Sequence, residues 1–268
     1  MVGPAVTHGP LAIPLGRTPE SVPTGARERH RRTRLVAGIG EEGLSRIRAA
    51  RVLVVGAGGL GSPVLLYLAA AGVGRIGIAD FDLVDVTNLQ RQVLHPEAGV
   101  GRPKADTAAE RLADLNSEVE TARFGRVTRE WLDAHGREWD LVVECTDSFD
   151  AKYLVADWCA SAGLPFVWGT VVGASYQVAA FWSAAPAPAP STRLRDLHPA
   201  PPAPGSTPVS TEAGVLGPVV GEAGTAMATE ALKLIAGFGS PLIGRVLVVD
   251  AARRRFDVLE FAPWEDGS

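Results

Sequence analysis

Short apolar runs and helical apolar spacings alternate along most of this chain. Four apolar or β-branched runs, each bounded by glycine or polar residues, predict strands at 51–55, 75–80, 119–124 and 140–147. Apolar residues at helical spacing predict helices over 41–50, 62–72, 103–116 and 149–163. Because strands and helices alternate, the pattern predicts an α/β fold with a doubly wound, Rossmann-like and mostly parallel sheet.

The second half of the chain departs from this alternation. PFVWGTVV (165–172) and YQVAAFW (176–182) predict two more strands, and proline recurs too often over 183–208 for a helix or a central strand. We expect this proline-rich segment to be a long crossover loop. A helix over about 212–236 and two short strands, RVLVVD and RRFDVLEF, predict antiparallel strands at the C-terminal edge of the sheet.

The N-terminal residues differ from the rest of the chain in composition. Positions 1–28 mix Pro, Gly, Thr and scattered charge without a sustained period, which predicts a disordered extension. Residues 29–268 are then expected to form one domain, since no repeat or second linker divides them.

Composition and charge exclude several classes of function. A formal charge of −4 and a pI near 5.8 provide no basic field for nucleic acid. Two cysteines without a CxxC pair do not make a disulfide scaffold and favour a reducing cytoplasm. The N-terminus has no signal-peptide core, and charged residues and Pro218 interrupt the apolar segment 212–239. We therefore expect a cytoplasmic protein, with neither nucleic acid nor membrane as partner.

The first predicted strand runs into a glycine-rich loop, VGAGGLGSP (55–63). Gly56, Gly58 and Gly61 follow a G-x-G-x-x-G spacing between a strand and a helix, where backbone N–H groups and the helix dipole favour an anion. A glycine turn used only for close packing is the weaker interpretation. Asp80 ends the second strand at the position where a carboxylate accepts ribose hydroxyls, so NAD and ATP fit this loop equally well.

The polar residues after Asp80 favour ATP. Asn88, Arg91 and Gln92 are spaced to share one face of a short helix, and Lys104 stands at the start of the next predicted helix. Arg91 and Lys104 can neutralise phosphate charge, and Asn88 can donate to a phosphate oxygen. Each residue taken alone has a plain interpretation as a solvated loop side chain. Together on one sheet edge they predict a triphosphate site, whereas nothing supplies a nicotinamide pocket.

A further acid follows the strand at 140–147. Asp147 in ECTDSFD lies at the same carboxyl edge, where a carboxylate among phosphates is suited to Mg²⁺. The alternative is that Asp147 or Ser148 caps the helix that begins near Phe149. We favour the metal role for Asp147.

Six ordered blocks of the chain resemble the ThiF/MoeB type of the ubiquitin-activating (E1-like) superfamily. They are IGEEG, RVLVVGAGGLGSP, AGVGRIGIADFDLVDVTNLQRQVLH, VGRPKAD, ECTDSFDAKY and EAGVLGPVVG. The resemblance implies an adenylyltransferase that uses MgATP to activate the C-terminal carboxylate of a ubiquitin-like sulfur-carrier protein (ThiS/MoaD type) ending in Gly-Gly. The product would be an acyl-adenylate, in molybdopterin, thiamin or specialised sulfur metabolism.

The resemblance also assigns roles residue by residue. It implies nucleotide contacts for Gly56, Gly58, Gly59, Gly61, Asp80, Asp82, Asn88, Arg91, Gln92 and Lys104. Catalytic roles fall to Arg32, Arg91, Lys104 and Asp147, with Asp147 also holding the Mg²⁺. Arg32 in RHRRTR matches an arginine finger that reaches into the partner subunit's site, which implies a homodimer. His30 stands where the pattern has an aromatic residue.

The chain departs from this family in its metal and sulfur chemistry. Many relatives have two CxxC pairs for zinc, but Ser191 and Leu194 stand at the first pair and the second is missing, so we expect no zinc. Ser210 occupies the position of a cysteine used in sulfur transfer, which predicts adenylation without a cysteine relay. Cys145 and Cys159 are expected to be buried and inert.

Three other functions stay open at this stage. An E1-like enzyme can adenylate a peptide or small carboxylate in a natural-product pathway, and Ala174, Ser175 and Tyr176 depart from the carrier-binding pattern. The chain can also be a non-catalytic carrier-binding partner, although the phosphate residues are intact. An NAD-dependent dehydrogenase fits least well.

Overall fold

The computed structural model describes residues 10–203 and 213–262, and its centre is one eight-stranded sheet. The strands are β1 Arg51–Val55, β2 Arg75–Ala79, β3 Glu120–Phe124, β4 Leu141–Glu144, β5 Phe166–Val172, β6 Ser175–Phe181, β7 Arg245–Asp250 and β8 Arg255–Glu260. They lie in the order β3-β2-β1-β4-β5-β6-β7-β8. The first five strands pair in parallel and the remaining pairs are antiparallel, which confirms the expected fold class.

The strand order reverses direction between β1 and β4. The chain moves outward from β1 to β2 and β3, then returns to place β4 on the other side of β1. In an open α/β sheet the crevice at such a reversal lies outside the carboxyl ends of the strands and receives the ligand. The glycine-rich loop follows β1 and Asp147 follows β4, so both face this crevice.

Nine described helices accompany the sheet. They are α1 Thr24–Arg29, α2 Arg31–Arg34, α3 Gly40–Ala49, α4 Gly61–Ala71, α5 Lys104–Leu115, α6 Arg129–His135, α7 Phe149–Ala162, α8 Leu194–Leu197 and α9 Gly217–Ala236. α3, α4, α5 and α9 contribute to the core on one face of the sheet, where Leu65, Leu112 and Met227 are fully buried. α6, α7 and α8 cover the other face through Leu132, Val155 and Leu194.

The structure changes the expectation for the N-terminal extension. Ile13 is 1% exposed within the core, and its N–H donates to the Leu234 carbonyl over 2.9 Å. Arg17 lies 2.7 Å from the buried carboxylate of Asp140. Val22 and Ala26 are also buried, against Leu44 of α3. Residues 10–28 therefore pack on the domain rather than extend from it, through scattered contacts that form no periodic pattern. Residues 1–9 lie outside the described chain.

The proline-rich segment is described only over 183–203, and it is held by polar contacts. The Ser191 hydroxyl donates to the Ser183 carbonyl, and Thr192 Oγ1 accepts from the Trp182 N–H. Leu194 is buried where the sequence pattern of relatives has a cysteine. Ser210 and the expectation attached to it lie outside the described residues.

The apolar C-terminal helix is part of the core. α9 begins at Gly217 rather than near 212, because Pro218 sits in its first turn and Val215 still bridges to Gly173. Glu230 is 4% exposed and accepts from Lys233 Nζ and from the Leu242 N–H. None of the described helices has the length and apolar character that a bilayer crossing takes.

Candidate active site

A cavity of about 560 Å³ opens at the carboxyl ends of β1, β2 and β4. The side chains or backbone of most predicted site residues meet there. They are Gly56, Gly58, Gly59, Asp80, Asp82, Asn88, Arg91, Gln92, Lys104 and Asp147. Gly61 lies just behind the lining, in the first turn of α4. Arg32 is separate: it is exposed on α2 and does not line the cavity of its own chain.

The glycine loop needs its glycines for two different reasons. Gly56 has φ +96°, and a Cβ there would lie 2.9 Å from the carbonyl of Cys145, the residue directly after β4. A Cβ on Gly61 would collide with the Gly56 carbonyl. The close approach of α4 to the end of β1 therefore requires a residue without a side chain at position 61. The loop therefore presents backbone and the N-terminus of α4 to the cavity, as an anion site does.

Asp80 is fixed by the loop it faces. Its Oδ2 accepts from the Ala57 N–H at 2.7 Å, and its Oδ1 accepts from the Asp82 N–H at 2.8 Å. A carboxylate oxygen can accept more than one hydrogen bond. Oδ2 thus holds the glycine loop and Oδ1 holds the turn after β2, and each oxygen can still accept from a ribose hydroxyl.

The strip after Asp80 is built from a 3₁₀ turn, Val86–Asn88, and the turns that follow it, rather than from an α-helix. Asp85 caps this turn by accepting from the Thr87 N–H. Gln92 is 4% exposed, and its Nε2 donates to Asn88 Oδ1 while its Oε1 has no partner among the described residues. A buried amide oxygen without a donor is costly. This oxygen suits a ligand that brings an N–H or O–H group.

Lys104 is the first residue of α5 and has a buried side chain. Its Nζ lies 3.0 Å from Asp82 Oδ2, and its backbone N–H donates to the Asp82 carbonyl over 2.9 Å. The side chain of Lys104 is 6% exposed, whereas that of Asp82 is 52% exposed. The ammonium group is therefore held at the cavity wall by a partner that water can also solvate.

The structure assigns the cap of α7 to Ser148 rather than to Asp147. The Ser148 hydroxyl accepts from the Ala151 N–H and caps α7. The Asp147 carboxylate is exposed in the cavity and has no hydrogen bond to any residue in the described chain. Mg²⁺ in nucleotide sites is held by one or two carboxylates, phosphate oxygens and water. A single unpaired carboxylate beside an anion cradle fits that ion.

A buried ion pair supports the turn that carries Asp147. Glu144 is fully buried, and its Oε2 lies 2.7 Å from Lys152 Nζ, which also donates to the Gly169 carbonyl over 2.8 Å. Glu144 Oε1 accepts from both the backbone N–H and the hydroxyl of Thr146. Because both carboxylate oxygens of Glu144 have hydrogen-bond partners, the network holds the chain just before Asp147 in place.

Sequence reasoning missed one part of the cavity. Gly125–Arg129 follow β3 and line its far wall, where the Arg126 guanidinium lies 3.6 Å from the centre of the Phe81 ring. Their position directly after a predicted strand was an available signal, since the carboxyl ends of parallel strands share one edge. Thr170, Val171 and Val172 of β5 line the opposite end.

The two cysteines lie away from solvent. Cys145 is 5% exposed and Cys159 is fully buried, and both are free thiols. Burial raises the pKa of each thiol, and the neighbouring Glu144 carboxylate adds to the effect at Cys145. Neither sulfur is available as a thiolate near neutral pH.

Comparisons with known proteins show the family of this chain. The model of the ThiF family matches residues 30–266. The chain is 45% identical over 225 residues to "Probable adenylyltransferase/sulfurtransferase MoeZ" of Mycobacterium tuberculosis, covering 83% of this chain and 57% of that protein. It is 43% identical over 230 residues to "Sulfur carrier protein adenylyltransferase" of Thermus thermophilus, covering 85% of both chains. The chain thus spans little more than half the length of the Mycobacterium relative.

The fold also matches solved structures. The microcin C7 biosynthetic enzyme MccB in complex with N-formylated MccA superposes with a TM-score of 0.78 at 20% identity, covering 91% of this chain and 76% of MccB. Escherichia coli MccB with ATP gives a TM-score of 0.71 at 21% identity, covering 84% of this chain and 67% of that one. These likenesses concern the fold of the chain.

Proposed function

Because this chain belongs to the ThiF family, we propose that it is an ATP-dependent adenylyltransferase for a ubiquitin-like sulfur-carrier protein. The reaction activates the C-terminal glycine carboxylate of a carrier of the ThiS/MoaD type that ends in Gly-Gly. The observation that carries the proposal is the convergence of the glycine loop, Lys104, Arg91 and the unpaired Asp147 carboxylate on one cavity.

The reaction requires the protein to position the carrier's carboxylate and ATP and to neutralise the charge on the phosphates. A carboxylate oxygen of the carrier attacks the α-phosphorus, and the bond from that phosphorus to the bridging oxygen of the β-phosphate breaks. The products are the acyl-adenylate and pyrophosphate. Arg91 and Lys104 neutralise the charge that develops on the phosphates, and the amides of the glycine loop donate to their oxygens. Asp80 orients the ribose.

Asp147 is assigned to the Mg²⁺ that accompanies ATP. Its carboxylate lies in the cavity without a protein partner, so it can bind a cation at no cost in broken hydrogen bonds. The ion supplies further charge neutralisation on the phosphates. Ser148 caps α7 independently, which leaves Asp147 free for this role.

We assign the carrier's tail to the end of the cavity formed by β5. β4 pairs with β5 only over Phe166–Trp168, so the part of β5 beyond Trp168 borders the cavity without a β4 neighbour. An extended tail can lie along Thr170–Val172 and reach the glycine loop. No described residue of the proline-rich stretch 183–203 lines the cavity, so we do not assign the tail to that loop.

The proposed enzyme works without a cysteine relay and as a homodimer. Both described thiols are buried with raised pKa values, and Ser210 replaces the cysteine of the sulfur-transfer position. Arg32 is exposed on α2, where it can enter the site of a second copy of the chain. No zinc, nucleic acid or membrane is part of the proposal.

ATP–pyrophosphate exchange tests the proposal. Purified chain, MgATP and radiolabelled pyrophosphate are expected to give exchange only when a carrier ending in Gly-Gly is present. The matched control is the same carrier without its last two glycines, which is expected to be inactive. Absence of exchange with every carrier from the same genome contradicts the proposal. An AMP-linked peptide found by mass spectrometry would instead indicate a peptide acceptor.

A further inference from the structure

His95 is a buried side chain that connects two parts of the proposed nucleotide site. It is 5% exposed and does not line the cavity. Its Nε2 lies 2.8 Å from the Ala57 carbonyl oxygen in the glycine loop, 38 positions earlier in the chain. Its Nδ1 lies 2.8 Å from Thr107 Oγ1 on α5, one turn after Lys104.

The hydrogen bonds define the state of the imidazole. The Ala57 carbonyl can only accept, so Nε2 carries a hydrogen and donates it. Burial lowers the pKa of His95, which favours the neutral ring. In that state Nδ1 accepts from the Thr107 hydroxyl, whose oxygen lies 2.8 Å from Nδ1 and 3.1 Å from the competing Lys104 carbonyl. Both ring nitrogens are therefore satisfied, and the ring is held between the glycine loop and α5.

The bond to Ala57 determines where the next amide points. The Ala57–Gly58 peptide is trans, so its carbonyl and its N–H point in opposite directions. With the carbonyl turned toward His95, the Gly58 N–H is turned away from His95. Gly58 lines the cavity, and its N–H has no backbone acceptor among the described residues. Asp80 fixes the preceding peptide in the same way through the Ala57 N–H.

We propose that His95 is a positioning residue which, through the Ala57 carbonyl, aims the Gly58 N–H at the phosphates of the nucleotide. Thr107 fixes the orientation of the ring and links the loop to the helix that carries Lys104. The inference rests on the proposed function only in taking the ligand to be ATP. It assigns no contact between His95 and the ligand.

A matched pair of substitutions separates the two contacts of the ring. The amide nitrogen of glutamine can replace Nε2 and keep the bond to Ala57, whereas asparagine reaches only the position of Nδ1. We expect the Kd of His95→Gln for MgATP to lie within about threefold of the wild-type value. The Kd of His95→Asn is expected to be about tenfold higher, because one hydrogen bond that orients the loop is lost. Calorimetric titration with MgATP measures both.

Adenosine distinguishes positioning of an amide from general damage. It has no phosphates, so its affinity, measured by competition with a fluorescent nucleotide, is expected to be the same in all three proteins. In the exchange assay the KM for ATP rises in His95→Asn while the KM for the carrier does not. Equal loss of adenosine and MgATP affinity in His95→Asn overturns the inference, because a packing defect weakens both.

Failure of the proposed function gives a different result. Wild-type chain that binds MgATP but exchanges with no carrier removes the acceptor assignment and leaves the His95 comparison standing. Wild-type chain that does not bind MgATP overturns both. If His95→Asn does not fold, His95→Gln decides: affinity near that of the wild type supports the inference, and a folded variant with tenfold weaker MgATP binding contradicts it.

Discussion

Lys104 is a buried cation whose carboxylate partner is in contact with water. In Lys104→Met the aliphatic part of the side chain is retained, and Asp82, which is 52% exposed, can be solvated when the ammonium is lost. We expect ATP–pyrophosphate exchange to fall by about 100-fold or more, because one cation at the phosphates is removed. The free energy of unfolding in urea should change by less than about 1 kcal/mol.

Arg102→Met is the matched control for Lys104→Met. Arg102 lies two positions before Lys104 and forms an exposed ion pair with Glu110, outside the cavity. Arg102→Met removes the same charge at a position just before α5 and is expected to leave exchange unchanged. Equal activity of Lys104→Met and wild type would remove Lys104 from the site.

Single residues also show which parts of the site a sequence can predict. The positions of Asp80 and Asp147 at the cavity could be predicted because each closely follows a recognisable parallel strand, and the carboxyl ends of such strands share one edge. The sequence could not assign the cap of α7 to Ser148, since the neighbouring Asp147 can also cap a helix; the structure makes that assignment. The contact of His95 with Ala57 joins distant positions through a side chain and a carbonyl, and no local pattern encodes it.

At the scale of elements, the end of α4 is locked against the N-terminal helices. Gly72 ends α4 with φ +83°, and a Cβ there would lie 2.6 Å from Nε2 of the buried His30. Gly101 has the same φ of +83° but no atom within 4 Å of its ideal Cβ position. The two glycines therefore separate the cost of the left-handed conformation from the cost of the contact.

We expect Gly101→Ala to lower the free energy of unfolding by about 1 kcal/mol, the usual cost of a left-handed non-glycine residue. Gly72→Ala is expected to cost about 3 kcal/mol, because overpacking against the His30 ring is added. Urea unfolding of both variants measures the difference. Equal losses would mean that α1 and α2 do not pack on the end of α4 in solution.

The elements that could be predicted are those with a clear apolar run or a clear helical spacing of apolar residues. β1, β2 and β4 are short buried runs, and α5 and α7 have extended helical spacing, so their positions were predicted within a few residues. α6 and α8 were not predicted because they have only seven and four residues, respectively, which is too few to establish a helical spacing of apolar positions. The packing of Ile13 depends on a site formed by α9, more than 200 positions away, which no local pattern reveals.

At the scale of the whole molecule, buried histidines link stability to pH. Burial lowers the pKa values of His30, His95 and His198 below the ordinary 6.5, and Arg48 adds to the effect at His30. The unfolded chain then binds more protons than the native chain as the pH falls through 6.5. The free energy of unfolding is therefore expected to decrease from pH 7.5 to 5.5, by at most about 1.4 kcal/mol per pH unit for each histidine.

Urea unfolding across that range measures the slope. Carboxyl groups with lowered pKa values, such as Glu110 and Glu118, have an ordinary value of 4.5 and lose their contribution at lower pH. His30→Gln is expected to reduce the slope, because it removes one of the three buried histidines with lowered pKa values. A stability that is flat or rises toward pH 5.5 contradicts the prediction.

The proposed homodimer makes a quantitative prediction about mixed variants. If Arg32 acts in the partner's site, Arg32→Ala and Lys104→Ala are each inactive alone, but a mixed dimer has one intact site: Lys104 from the first variant and Arg32 from the second. Random mixing of equal amounts makes half of the dimers mixed, so about one quarter of all sites regain activity. Exchange measured after unfolding and refolding the two variants together tests this. No recovery would mean that Arg32 acts within its own chain, since then every mixed dimer has two defective sites. Full activity of Arg32→Ala alone would mean that Arg32 has no role in the reaction.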